Sequence, residues 1–312
     1  MRTFSIPYNN DMLLLDKLGE KFPDHISQCK EIYFAIPNHI AGTGRAINQG
    51  NDYEDEIVQL LKKARDKNIE GNLLINTGCL GLRIADVEFV RNIINYIYNL
   101  KESDGLEVVT VADYYLALEV KQAIPDIKLE CSSIAYVDSL EKAKYWGELG
   151  CDIMVIPPVL NKNLKFIRQM REALPHVQLK LVINQTCLHD CPMWQGHHNL
   201  RGHGNEGAVY LNICQNLFKE KPWLLYSSSF IPPQYMDYYD EFIDIYKLVD
   251  RRHSTIEILQ NFGAYCGDKN SSEKFDELNK IIPEKAFEKV IGCNKMCSSC
   301  GFCECAYNNN AK

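Results

Sequence analysis

Asn72-Leu-Leu-Ile-Asn-Thr77, Asp86-Val-Glu-Phe-Val-Arg-Asn-Ile-Ile-Asn-Tyr-Ile-Tyr-Asn-Leu100 and Leu106-Glu-Val-Val-Thr-Val-Ala112 follow one another as an apolar run, an amphipathic segment and a second apolar run. In the middle piece Val87, Phe89, Val90, Ile93, Ile94 and Ile97 share one broad helical face, and charges and amides fill the other. The flanking runs are near-continuously apolar, as parallel strands covered on both faces are. The same alternation extends in both directions, with strand-like runs at 2–7, 31–37, 72–77, 106–112, 128–134, 152–157, 180–184 and 244–249. Eight βα units within about 260 residues predict an α/β fold, a (β/α)8 TIM-barrel-like parallel barrel. A doubly wound open sheet is the alternative, but no GxGxxG follows a strand. Trp223-Leu-Leu-Tyr-Ser-Ser-Ser-Phe-Ile231 reads as a ninth strand or part of a long loop.

The barrel is expected to occupy 1–266. A helical, Cys-rich C-terminal extension over 267–312 follows, where the composition turns polar. The 312 residues are 46% apolar and 24% charged, which excludes disorder and collagen-like repeats. No apolar run approaches the ~20 residues of a membrane helix, and the N-terminus has no secretory h-region. A cytoplasmic protein is expected. With 34 basic against 41 acidic residues and no run of five Lys or Arg, a nucleic-acid partner is not expected.

Reactive groups in such a barrel come from the C-terminal ends of the strands. Those ends supply Asn38 and His39, Asn76, Thr77 and Cys79, Asp113, Ser132 and Ser133, Asn184, Gln185 and Cys187, and Asp250, Arg251 and Arg252. The catalytic candidates are His39, Asp113, His198 and Arg251. Asp113 has a competing role as the cap of the helix that follows it. Arg251 or Arg252 would offer a carboxylate a bidentate fork, unless it only pairs with an acid on the rim. Lys247, inside the last strand, would balance charge within the barrel or join the site.

Thirteen cysteines in a reducing compartment point to metal or redox chemistry rather than disulfides. Cys29, Cys131 and Cys151 stand among apolar neighbours and read as small core residues. Cys187 and Cys191 lie in a stretch that also holds His189, His197, His198 and His203. Soft thiolates at this spacing select an iron-sulfur cluster or zinc, with Cys214 as a third thiolate or a buried helix residue. The tail carries Cys293, Cys297, Cys300, Cys303 and Cys305 within 13 residues. A second cluster or zinc fits there. Its CxxxCxxC portion resembles the cluster motif of radical S-adenosylmethionine enzymes, but it follows the barrel, and Ser299 stands where that family has an aromatic residue.

From about Ser5 to Arg252 the order of these pieces resembles the collagenase-like peptidase family U-32. Val111-Ala-Asp113-Tyr is similar to the family's strand ending in aspartate. Leu129-Glu-Cys-Ser132-Ser133-Ile-Ala and Ile245-Tyr-Lys247-Leu-Val-Asp-Arg251 resemble two further family strands. The Asn184…Cys187…Cys191-Pro192…Asn212-Ile-Cys214 pattern, with Trp223 after it, resembles one subgroup. The resemblance implies a barrel that in several members carries a 4Fe-4S cluster and supports oxygen-independent hydroxylation; others are classed as peptidases. By position it makes Cys187, Cys191 and Cys214 cluster ligands, with the fourth from Cys79, Cys266 or the tail, or absent.

The expected function is therefore an iron-sulfur enzyme with redox or hydroxylation-type chemistry on a small polar or carboxylate-bearing substrate, served by an electron donor or partner subunit. The alternatives are a peptidase, for which neither HExxH nor GxSxG occurs, and a non-catalytic metal-bearing subunit of a larger complex.

Overall fold

The computed structural model describes residues 1–36, 53–203, 208–293 and 295–310. Eight strands, β1 (Phe4–Pro7), β2 (Cys29–Phe34), β3 (Glu70–Ile75), β4 (Val108–Val111), β5 (Lys128–Cys131), β6 (Ile153–Ile156), β7 (Gln178–Val182) and β8 (Ile245–Lys247), form a closed barrel in chain order. Every pairing is parallel, including β8 with β1. Each strand falls within two residues of its expected start.

Helices α1 (Leu14–Lys21), α2 (Tyr53–Asp66), α3 (Val87–Asp104), α4 (Tyr114–Ala123), α5 (Leu140–Glu148) and α6 (Leu164–Ala173) alternate with the first seven strands. In α3 the expected face is buried through Phe89, Val90, Ile93 and Ile97, while Val87, in its first turn, is 67% exposed. Asp86 caps this helix and Gly105 ends it at φ 76°. Cys29, Cys131 and Cys151 are core residues, and burial pushes the Cys151 thiol up to about 12.

After β7 the pattern changes. In place of one crossover helix stand α7 (Trp194–Gly202), α8 (Ala208–Glu220) and the one-turn α9 (Leu224–Ser227). The ninth candidate strand is thus a helix followed by extended chain. Its apolar residues Tyr226, Phe230 and Ile231 are buried by packing, not by joining the sheet. Beyond β8, α10 (Thr255–Cys266) closes the barrel with a Ser254/Glu257 capping box. Then come α11 (Ser272–Asn279), α12 (Glu284–Ile291), α13 (Cys297–Cys300) and α14 (Phe302–Asn310). Leu278, Ile282, Ala286 and Phe287 of this extension join the main hydrophobic core. Phe287 stacks on Tyr235 at 4.3 Å and covers the buried Lys162 ammonium at 3.9 Å. No helix among the described residues is long and apolar enough to cross a membrane.

The barrel interior is layered. Val108, Ile153 and Ile245, from alternate strands, plug the N-terminal end. Above them lies a ring of polar groups. Lys180 Nζ donates to both carboxylate oxygens of Glu31, at 2.8 and 2.7 Å, and also to Glu130. Ser5 Oγ donates to Glu31 at 2.6 Å, and Asn72 Nδ2 to Glu130 at 3.0 Å. Thr110 Oγ lies 2.7 Å from Asn72 Oδ1, and Lys247 Nζ lies 3.2 Å from Glu130 Oε1. Every strand except β6 contributes, and two carboxylates balance two ammonium groups.

Burial acts to raise the Glu130 carboxyl, but Lys180 and Lys247 outweigh it and hold the group below its ordinary value. Its stabilising contribution is present above the ordinary carboxylate range and is lost as pH falls through the lowered value. Lys180→Met would leave buried Glu31 without an ammonium partner and Glu130 with Lys247 alone. It is expected to lower unfolding free energy by about 3–5 kcal/mol in urea denaturation at neutral pH. A loss under about 1 kcal/mol, as for an exposed pair, would show that the ring does not hold the barrel together.

Candidate functional site

At the C-terminal mouth of the barrel, directly above the charged ring, lies a pocket reached by Tyr33, Asn76, Ser132, Trp194, His198, Lys247 and Arg251. Asn76 Nδ2 donates to Ser132 Oγ at 3.1 Å, joining the ends of β3 and β5. Lys247 Nζ forms the floor, 4.2 Å from the centre of the Tyr33 ring, while Tyr33 Oη donates to the Leu248 carbonyl at 2.9 Å. Burial lowers the Lys247 pKa; Glu130 opposes the shift and Lys180 adds to it.

The two neighbouring arginines differ. Arg252 is exposed and bonded to Asp250 at 3.0 Å. Arg251 lines the pocket beside Tyr33 and Tyr53, burial lowers its pKa, and among the described residues no carboxylate forms an ion pair with it. A partly desolvated guanidinium that no carboxylate among the described residues pairs can accept an anion in its planar fork.

A second cavity, of about 240 Å³, adjoins the first and is lined by Cys187, Cys191, Cys214, His197 and His198. The loop after β7 is fixed at several points. Asn184 exchanges hydrogen bonds with the Val249 backbone, accepting its N–H at 2.8 Å, and the Cys187 N–H donates to Ser229 Oγ at 2.8 Å. Cys214 comes from α8, where its Sγ reaches the Leu211 carbonyl at 3.3 Å. Burial raises both Cys191 and Cys214, and Cys214 adds to the rise at Cys191. His198, 8% exposed, packs on Trp194 at 4.4 Å and stacks with His197 at 5.5 Å. Gly202 lets α7 press on the β3 loop, since a Cβ there would overlap the Thr77 hydroxyl.

Gln185, Trp194, His198, Val249 and Asp250 line both cavities. One wall therefore separates the thiols from the mouth pocket. Among the described residues no three His, Cys, Asp or Glu side chains converge closely enough to hold a single metal ion. The three sulfurs instead face one cavity from a loop and a helix. Three cysteines on one cavity are a soft donor set of the kind that iron-sulfur clusters take.

Cys79 and Cys266 do not line this cavity. Cys79 lies after β3, beside Gly202 of α7, and Cys266 lines a cavity at the opposite end of the barrel with Met1, Arg2 and Asp244. Cys293, Cys297, Cys300 and Cys303 line a separate cavity with His189. Burial, and after it those three neighbouring thiols, push Cys303 up to about 11. Burial and Lys295 hold His189 down to about 4, so its ring is neutral at pH 7.

Asp113 accepts the Leu116 N–H at 2.9 Å as the cap of α4 and lines neither mouth cavity. Asn38 and His39 lie outside the described residues. The charged ring of Glu31, Glu130 and Lys180, together with Tyr33, was not anticipated as part of the site. Its signal was a charge flanked by apolar residues within a strand, as at Glu130 between Leu129 and Cys131 and Lys180 between Leu179 and Leu181.

The sequence profile of peptidase family U32 matches residues 27–190, just over half of the chain. A protein of Methanocaldococcus jannaschii described as an uncharacterized protease is 29% identical over 313 residues, covering 95% of this chain and 92% of its own. Among solved structures, a U32 peptidase superposes with a TM-score of 0.56 at 18% identity, over 80% of this chain and 93% of that one. That likeness extends to the closed parallel barrel described above. With its matched segment running from the approach to β2 into the cysteine-bearing loop after β7, the chain belongs to peptidase family U32.

Proposed function

We propose that this U32 protein is an iron-sulfur enzyme that carries out redox or oxygen-independent hydroxylation-type chemistry on a small carboxylate-bearing substrate. The observation that carries this reading is the shared wall: Trp194, His198 and Asp250 face the three-thiol cavity on one side and the Lys247–Arg251 pocket on the other. Cys187, Cys191 and Cys214 would hold the cluster. When bound, it would supply one-electron chemistry.

The remaining work falls to this chain's own side chains. Arg251 binds a carboxylate through its planar fork, and Lys247 adds a second positive charge at the pocket floor. Asn76 and Ser132 orient polar groups of the substrate from the opposite side. Trp194 keeps water from the wall between the cavities, and His198 beside it can hold or release a proton at a ring nitrogen.

Two measurements test this. After anaerobic purification, Cys187→Ala is expected to lose about four iron and four sulfide per chain relative to wild type. Unchanged iron and sulfide, or stoichiometric zinc with neither, would overturn the reading, as would peptide hydrolysis that survives complete removal of iron. In calorimetric titration with simple carboxylates, Arg251→Lys is expected to weaken binding roughly tenfold or more, as loss of a charge-assisted bond worth about 1.5–3 kcal/mol requires. Arg252→Lys should bind as wild type does. Equal losses in both variants would remove the case for Arg251 as the anion fork.

A further inference from the structure

The C-terminal extension ends in a small helical hairpin that the barrel reading leaves unused. Cys293 follows α12, Cys297 and Cys300 bound the single turn of α13, Gly301 reverses the chain at φ 58°, and Cys303 stands in the first turn of α14. This path sets four sulfurs around one cavity of about 110 Å³. Cys305, two residues farther on, does not reach it.

One further observation marks the cavity as a ligand site. His189, from the loop between Cys187 and Cys191, also lines it, and its buried Nε2 has no hydrogen-bond partner among the described residues. A buried ring nitrogen without a partner is costly unless something else fills the role.

The hairpin is docked, not loose. Lys295 Nζ pairs with Asp190 at 2.7 Å, Tyr307 packs on Tyr226 at 5.9 Å, and Phe302, Cys303 and Ala306 rest on the main core. Four cysteines gathered on a docked cavity beside that unpartnered ring nitrogen form a soft donor set of the kind that holds a metal centre.

We propose that Cys293, Cys297, Cys300 and Cys303 form a second metal centre, a four-cysteine site for an iron-sulfur cluster, seated directly on the loop that carries Cys187 and Cys191. His189 faces this centre from the barrel side. The site stands independently of the barrel-mouth reading.

The test uses wild-type protein purified anaerobically, with each cysteine followed by mass spectrometry during brief iodoacetamide treatment. Cys297, Cys300 and Cys305 are all exposed, so exposure alone predicts equal labelling. Metal ligation predicts that Cys305 labels at once, while Cys297 and Cys300 label at least tenfold more slowly until a chelator or oxidant strips the metal. Metal analysis of Cys297→Ala/Cys300→Ala should show the loss of about four iron and four sulfide. Cys305→Ala should lose none. Cys297 and Cys300 labelling as fast as Cys305 in untreated protein would overturn the proposal. So would a double variant that keeps the full wild-type metal content. Because labelling is read residue by residue, failure here is distinguishable from failure at Cys187.

Discussion

Lys180 sits between two carboxylates in the middle of a closed barrel, and the architecture depends on that arrangement. A charge taken out of water there is tolerated only if opposite charge and hydrogen bonds surround it. Glu31 and Glu130 supply the charge, and Ser5, Asn72 and Thr110 occupy the remaining lone pairs and protons. The compensation works only when β2, β5 and β7 are in register, because a slip of one residue would turn a charged side chain toward the helices. The ring therefore acts as a register lock on the sheet, while the apolar plug beneath it and the helices outside supply most of the burial.

The same ring determines what the mouth can do. Lys247 belongs to both: it bonds Glu130 below and faces the pocket above. Its charge is partly neutralised from beneath, and Arg251 on the rim has no carboxylate among the described residues. Arg251 brings positive charge to the rim, while Asn76, Ser132 and Tyr33 are uncharged and Asp250 beside them is paired with Arg252. The three-thiol cavity lies one side chain away, so whatever occupies the pocket is held beside the sulfurs by Trp194 and His198.

Much of this was legible in the sequence, for physical reasons that also mark the limits. Strands buried on both faces leave near-continuous apolar runs, so all eight were visible. The run at 223–231 has the same composition for a different reason. Its aromatic residues fill space between the barrel and the extension, and Ser229 is committed to pinning Cys187. Composition cannot distinguish burial by packing from burial by pairing. Cysteine spacing separated the core thiols from the clustered ones, because ligands close in sequence must be close in space. The choice between Arg251 and Arg252 was not legible, since it depends on how the chain turns after β8. The wall shared by the two cavities joins residues from α7 with the segments after β7 and β8, and no local pattern records such a juxtaposition.

The thiols that line the two cavities all follow β7, and seven of the eight strands precede the first of them. On the ribosome, then, most of the sheet is made before Cys187 emerges, and the tail cysteines come after every strand. Chain order thus keeps these sulfurs out of the early stages of folding. A centre of the kind proposed on them would be a late step of maturation, added to a scaffold whose interior is already organised by its own buried charges.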